Sequence, residues 1–411
     1  MWGGRHRRDA HTASRGVAIL MTMRSLALAL AATLALHPTA EAQQDPPRRI
    51  DFGADSTSQE PRRTTDRAIG SSFVRDQTLL GLFLYAPAFA TAVGRDGVTG
   101  SAAYLVVAGG TFFAATELTR RLEITEARRD LAFSVPLRMA GTVWLLADAA
   151  ELGTSQKGAV IFLGGMGGLA GGLAMGRGLT AGEAAATIFG HDLGFLSGVL
   201  ITAMTTSGNG EGLLDARGNP GRVATWTGAG IVGMLAGRRY AGRAMHNVTV
   251  GDVQALWLGA TLGALGATTL IVDSEPSSQT IAGTVLVGVL GGTYLADRYI
   301  VRRYDHTRGE GNILSLGAAA GAVMGVGLGV LVGGELERGT ALTLGLATAG
   351  GIAGVALTER YLQPAADQGK LATSIGAANS RGAARLSFNP LAVTSAAMRS
   401  PGRHTILSLS F

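Results

Sequence analysis

Four times along this chain, a glycine-rich apolar segment that carries arginine near its end is followed by a threonine and a second apolar segment. Three of these units align without gaps at the threonine and at an acid three residues later: Thr180 with Glu183, Thr249 with Asp252, and Thr307 with Glu310. A degenerate unit surrounds Thr125, and a fifth, half unit runs from about residue 339 to residue 362. Such internal repetition predicts an array in which neighbouring units bury each other's apolar faces.

Small residues follow a helical rhythm within each unit. They recur every fourth residue after the turn, which places them on one face of a helix. Glycine costs a helix about 1 kcal/mol relative to alanine, so a repeated glycine face indicates the close helix contact that is favoured in lipid. The positions predicted to pack in this way are Gly190, Gly194, Gly198, Gly259, Gly263, Gly317, Gly321, Gly325 and Gly329. The residue sixteen positions before each threonine is also glycine, at Gly109, Gly164, Gly233 and Gly291.

The predicted fold class is an all-α, membrane-type repeat array of glycine-zipper helical hairpins, which occupies residues 76–362. In each turn, a threonine with an acid three residues later forms a capping box, and the acid faces the positive end of a helix. A catalytic or metal-binding role is the alternative for these acids. Helix pairs are expected near residues 98–150, 158–205, 223–272 and 280–333.

Three apolar segments, at residues 253–272, 312–332 and 339–358, are free of charge and have about the twenty residues that a membrane span needs. Other segments carry polar interruptions, among them His191 and Asp192 together and Arg138 alone. Arginines crowd the threonine turns, so the positive-inside rule places these turns in the cytoplasm. A signal peptide followed by a spanning segment at residues 78–94 places them on the opposite side, and the two signals disagree.

The amino end resembles a secretory signal peptide. Arg24 precedes an apolar run at residues 26–36, and Ala40-Glu41-Ala42 is a small-residue cleavage site before Gln43. We expect residues 1–42 to be an upstream extension with a signal peptide, and an uncleaved anchor helix is the alternative. Residues 43–75 are polar and lack an apolar period, so a disordered linker is predicted there. Pro87 is expected to kink or interrupt the apolar segment that follows.

The carboxyl end, residues 363–411, changes to short alternating segments that indicate a small β element. In the last segment Leu407, Leu409 and Phe411 alternate with serines. This resembles the final-strand signal of bacterial outer-membrane barrel proteins, although three candidate strands cannot close a barrel. The resemblance favours the outer over the inner membrane of a bacterial envelope.

Composition excludes several functions. The chain has no cysteine, so thiol catalysis and disulfides are excluded. Its net charge of +6 comes largely from arginines without interleaved aromatic residues, so we expect no nucleic-acid partner. No catalytic motif is evident, and we expect neither an enzyme nor a cofactor.

Three histidines are the candidates for polar chemistry. His191 and Asp192 form a possible functional pair, because an ionisable pair inside a membrane segment is a candidate for ion passage. A partly exposed helix face or a mutual hydrogen bond is the alternative. His246 and His306 each precede a turn threonine, and they could bind a metal ion only if separate turns converged.

The sequence therefore predicts a structural or scaffolding membrane protein of the bacterial envelope, in contact with membrane lipid and with itself or other envelope proteins. A transporter or pore component is one alternative, and a secreted soluble helical solenoid is another.

Overall fold

The computed structural model shows an all-α protein. It describes residues 59–94, 96–205, 218–244, 246–274, 276–333, 339–367, 385–388 and 407–410. The α-helices are α1 (Gln59–Leu80), α2 (Ala86–Val93), α3 (Gly97–Arg121), α4 (Glu126–Ala149), α5 (Thr154–Met175), α6 (Ala181–Thr205), α7 (Pro220–Arg243), α8 (Val250–Thr269), α9 (Ser278–Ala296), α10 (Arg308–Gly333) and α11 (Gly339–Asp367). A short 3-10 turn, Val272–Ser274, follows α8.

Helix α1 begins at Gln59, within the segment at residues 43–75 for which a disordered linker is predicted. Its few apolar residues include Phe73 and Leu80, which lie two turns apart on one face and are both buried. Gln77 lies on the same helix and donates a hydrogen bond from Nε2 to the Ala132 carbonyl oxygen at 3.0 Å. A sparse apolar face is therefore sufficient here, because it packs on another helix.

Pro87 does not end the helical segment. A π-helical turn, Gly81–Tyr85, joins α1 to α2 without a break, and the proline is the second residue of α2. A second π turn, Asp297–Val301, extends α9. The helical irregularity expected at Pro87 thus lies one turn upstream, in the π turn.

The helices form five antiparallel hairpins: α1–α2 with α3, α4 with α5, α6 with α7, α8 with α9, and α10 with α11. These hairpins differ from the pairs that the sequence pattern suggested around the threonine turns. The two helices that such a turn joins, for example α5 and α6, do not pack along their lengths. Each threonine turn instead links one hairpin to the next, and the first helices α1, α4, α6, α8 and α10 contact one another in succession.

Backbones approach each other closely inside the last three hairpins. A Cβ atom added to Gly263 would overlap the Gly288 carbonyl oxygen and lie 2.8 Å from the Gly292 Cα. Positions Gly190, Gly194, Gly259, Gly317, Gly321, Gly325 and Gly329 have comparable backbone or side-chain contacts, and Gly198 packs on Trp226 and Ala229. By contrast, nothing lies within 4 Å of a Cβ added to Gly109 or Gly291.

Seven of the described helical segments are long and apolar enough to cross a membrane. Their large apolar side chains point outward: Phe113 is 71% exposed, Val287 is 72% exposed and Leu331 is 83% exposed. Small residues fill much of the interior. The seven segments are Gly97–Arg121, Thr154–Met175, Ala181–Thr205, Val250–Ser274, Ser278–Val301, Arg308–Gly333 and Gly339–Leu362.

The predicted signal peptide at residues 1–42 lies outside the described residues. Helix α11 continues to Asp367, into the predicted β segment. Beyond it, Arg385–Phe388 and Leu407–Ser410 pair as antiparallel strands, with Leu386 opposite Leu409. Because most of residues 363–411 are outside the described part, the predicted C-terminal β element stays a prediction.

Candidate functional site

The first helices of the hairpins begin at one end of the bundle, which we call the arginine end. Helices α4, α6, α8 and α10 each begin with a threonine turn. Neighbouring turns touch: a Cβ added to Gly182 would overlap the Val248 carbonyl oxygen, and one added to Gly251 would overlap that of Thr307. The second helices end at the same place with the arginines. Polar groups from distant parts of the sequence therefore meet at the arginine end.

The threonine turns have reciprocal cap hydrogen bonds. The Thr180 amide donates to Glu183 Oε2 at 2.7 Å, and the Glu183 amide donates to Thr180 Oγ1 at 3.2 Å. Thr307 and Glu310 repeat this arrangement at 2.7 and 3.2 Å. Two of the helix's otherwise unpaired amides are satisfied in each turn, so the acids serve the local backbone.

Asp252 makes the same cap with Thr249, at 2.9 and 3.1 Å, but its environment differs. Its Oδ1 also accepts hydrogen bonds from the His306 backbone amide at 3.1 Å and faces His306 Nδ1 at 2.9 Å. On the other side of the ring, Nε2 lies 3.2 Å from Glu359 Oε2 of α11. The side chains of Asp252 and His306 are fully buried, and Glu359 is nearly so.

This buried chain makes His306 a cation held between two carboxylates. Burial opposes the charge, but the hydrogen bonds with Asp252 and Glu359 outweigh it and raise the pKa of His306 to about 9. Tyr304 packs its ring on the imidazole, with centroids 4.1 Å apart. The cluster joins α8 to the turn and second helix of the last hairpin, and its closed surroundings suit a structural lock.

A second polar cluster lies within the helices. Arg138 of α4 forms a bidentate pair with Asp192 of α6, with Nε donating to Oδ1 at 2.6 Å and Nη2 paired with Oδ2. His191 Nδ1 lies 3.2 Å from the same Oδ1. The predicted pair of His191 and Asp192 is therefore a triad with Arg138, which ties the second hairpin to the third. The side chains of Arg138, His191 and Asp192 are mostly buried.

Arg308 connects turns that are far apart in sequence. Its guanidinium pairs with Glu126 and lies 3.0 Å from Asp130, at the start of α4. Asp130 also accepts from Arg129. The start of the last hairpin is thus bound to the start of the second one, 178 residues away.

An apolar groove of about 520 Å³ lies between the third and fourth hairpins. Its floor is α6, with Gly190, Leu193 and Ser197, and its walls are α7 and α9. At the arginine end the groove stops at Tyr240 and Asp297, whose Oδ1 accepts a hydrogen bond from the Tyr240 hydroxyl at 2.6 Å. The groove is large enough for a small molecule.

Sequence reasoning missed most of these contacts. It treated Asp252 as an ordinary cap and His306 as a residue before a turn, although both enter one buried cluster. Two signals existed: Glu359 is the one carboxylate between residues 339 and 366, directly after an apolar segment, and Arg138 interrupts another such segment. The partners could not be assigned, because they depend on which hairpins are neighbours.

Comparisons with protein-family models, with curated proteins and with solved structures find no match to this chain.

Proposed function

We propose that this chain is a structural protein of a bacterial envelope membrane, with a scaffolding rather than a catalytic role. In this proposal, glycine-zipper hairpins form a bundle that packs against lipid, against further copies or against envelope proteins. The distribution of side-chain size carries the proposal. Small residues lie between helices, and large apolar residues point away from them.

The outward apolar surface favours lipid over water as the surrounding medium. Soluble monomers rarely expose contiguous apolar patches larger than a few hundred Å². Here exposed large apolar residues occur on all the hairpins, for example Phe83 on the first, Val287 on the fourth and Leu331 on the fifth. In a bilayer this surface costs nothing, whereas in water it would promote aggregation. A secreted soluble solenoid is therefore less well supported.

In this proposal, close glycine contacts hold the helices together in lipid. Lipid tails are as apolar as leucine, so helices in a bilayer associate through close packing rather than through hydrophobic burial. Gly259 and Gly263 of α8 meet Gly288 and Gly292 of α9 with backbone against backbone. Arginine-rich turns then cap the helices and face the headgroup layer.

A transporter or pore component is the second candidate, because Arg138, His191 and Asp192 form an ionisable cluster within the bundle. Proton or ion flux in liposomes tests it. If the chain conducts through this cluster, Asp192→Asn and His191→Gln reduce the flux. Flux that is absent, or that these changes leave unaltered, removes the cluster as a transport site.

Membrane fractionation tests the main proposal. Cells that express the full chain are separated into inner and outer membranes, and each fraction is extracted with carbonate. Retention in either membrane is expected, and retention in the outer membrane would agree with the alternation near the carboxyl end. Complete release as a monodisperse soluble protein would contradict the proposal and favour the solenoid.

A matched pair of variants tests the zipper. Gly263→Leu places a side chain against the α9 backbone, whereas Gly291→Leu places one where a Cβ meets nothing within 4 Å. We expect the first variant to lose assembly and the second to retain it, as judged by gel filtration in detergent. Equal behaviour of the two variants would contradict the zipper.

A further inference from the structure

The groove between the third and fourth hairpins has the length of one membrane leaflet. Along α6 it runs from Ala186 to Ser197, which is roughly 16 Å at the rise of an α-helix. The hydrocarbon core of a bilayer is about 30 Å thick, so one leaflet supplies about half of that. The lining residues of α6 begin near the arginine end and stop at Ser197, before the helix ends at Thr205, so the groove has the extent of an acyl chain in one leaflet.

The walls of the groove explain why it is open. Helices α7 and α9 are the second helices of neighbouring hairpins, and they do not pack on each other. Small residues of α6 and α7, such as Gly194 and Ala236, line the space between them. A flexible hydrocarbon chain fits such an apolar surface.

The carboxylate at the arginine end of the groove is already occupied. Asp297 is nearly buried, and its two oxygens accept from the Tyr240 hydroxyl at 2.6 Å and from Arg302 Nε at 2.8 Å. Asp297 is therefore neutralised locally, and the remaining charges next to the groove decide which headgroup is attracted.

Those remaining charges are arginines. Arg243 follows the lining residue Tyr240 by three positions on α7, and Arg298, in the π turn that extends α9, follows the lining residue Tyr294 by four positions. Residues three and four apart lie on one helix face, so both arginines continue the walls of the groove beyond the arginine end. Both are exposed, and neither forms an ion pair within the part of the chain that the structure describes.

We propose that this groove binds one anionic phospholipid, with an acyl chain along α6 and the phosphate between Arg243 and Arg298. The inference rests on the proposed membrane location. It adds a specific lipid site to a surface that otherwise contacts bulk lipid.

Retention of bound lipid during purification tests the proposed site. The full chain is extracted from membranes in mild detergent, exchanged with phosphatidylglycerol or phosphatidylcholine, and examined by native mass spectrometry. We expect one phosphatidylglycerol per chain and weaker retention of phosphatidylcholine. The double variant Arg243→Gln/Arg298→Gln should lower the affinity for phosphatidylglycerol about thirtyfold, because each basic residue near an anionic lipid surface contributes about five- to sixfold.

Two matched controls separate the site from general electrostatics and general packing. Arg177→Gln/Arg360→Gln removes two exposed arginines, one just after α5 and one two turns before the end of α11, neither of which lies next to a residue that lines the groove, and should leave retention unchanged. Val232→Trp should block the groove, since this valine is 67% exposed and lines it, whereas Val287→Trp changes a valine of α9 that is 72% exposed and does not line the groove.

Equal retention of the two lipids, or equal loss in both arginine double variants, would overturn the lipid site. These outcomes are distinct from failure of the membrane proposal. A chain that stays in the carbonate-washed membrane but retains no lipid overturns the groove alone, whereas release by carbonate overturns both.

Discussion

The first and fourth hairpins carry the same sequence signature and pack in different ways. Gly291-Gly292-Thr293 in α9 aligns with Gly109-Gly110-Thr111 in α3. A Cβ added to Gly292 would overlap the Gly259 carbonyl oxygen, whereas one added to Gly110 would meet nothing within 4 Å. The aligned glycines Gly292 and Gly110 therefore have different surroundings, a neighbouring backbone in one hairpin and open space in the other.

The partner helix accounts for this difference. Helix α8 presents Gly259 and Gly263 to α9, so the two backbones meet. Helix α1 and the π turn after it present larger side chains to their neighbours, with Phe73 and Tyr85 fully buried. Their contact with α3 includes Gly81, where an added Cβ would lie 2.6 Å from the Thr111 Cβ. A glycine repeat thus predicts a helix. The residues of the neighbouring helix determine whether its glycines lie in close backbone contact.

The fourth hairpin is also locked by the buried His306 cluster, and removal of His306 should have the largest effect. His306→Ala leaves Asp252 and Glu359 close together without the cation between them. We expect a loss of about 3–5 kcal/mol, as when one partner of a buried ion pair is removed. Unfolding in mixed detergent micelles measures it. His246→Ala is the control, because His246 also precedes a turn threonine, and equal losses would contradict the lock.

The same cluster predicts that the contribution of the fourth hairpin to stability depends on pH, whereas the first hairpin has no such cluster among the described residues. The pKa of His306 is raised from 6.5 to about 9 in the folded state. Its contribution is therefore fully present below pH 6.5 and is lost as the pH rises through 9, by about 3 kcal/mol in total. Thermal unfolding followed by circular dichroism at pH 6 and pH 9.5 measures this decrease. The decrease should disappear in His306→Gln, and a decrease of the same size in that variant would assign it to other groups.

Gly292→Ala tests the close contact in the fourth hairpin directly. The added methyl group has to displace the backbone of α8, and overpacking of this kind costs about 1–3 kcal/mol. The unfolding midpoint in detergent should fall accordingly. Gly291→Ala, at the adjacent position on the same helix, is the control, and it should not destabilise. A stable Gly292→Ala protein would mean that the two helices separate without cost.

The helix positions were largely predictable from the sequence, because they depend on local signals. The threonine caps and the four-residue rhythm predicted a helix start after Thr180, Thr249 and Thr307, and the helices begin there. The start of α1 was missed, since its apolar face is sparse and is stabilised by contacts with α4. Local pattern is informative only where the local signal is strong.

The pairing of the helices and the polar clusters were not predictable from one sequence. Arg138 and Asp192 are 54 residues apart, and so are Asp252 and His306. These contacts form because each hairpin pairs the two helices that lie between successive threonine turns. The two helices that one threonine turn joins belong to different hairpins. Because Glu183, Asp252 and Glu310 have equivalent spacing, nothing in the repeat singles out the acid that becomes buried with a histidine.

The smallest expected effect has the opposite sign and completes the comparison. Gly110→Ala changes the residue that aligns with Gly292, but it places the methyl group in open space. Alanine is favoured over glycine in a helix by about 1 kcal/mol, so this variant should be slightly more stable than the natural chain. The same unfolding measurement in detergent detects the gain. A loss of stability like that of Gly292→Ala would show that α3 approaches another helix as closely as α9 does, and the contrast between the two hairpins would then be wrong.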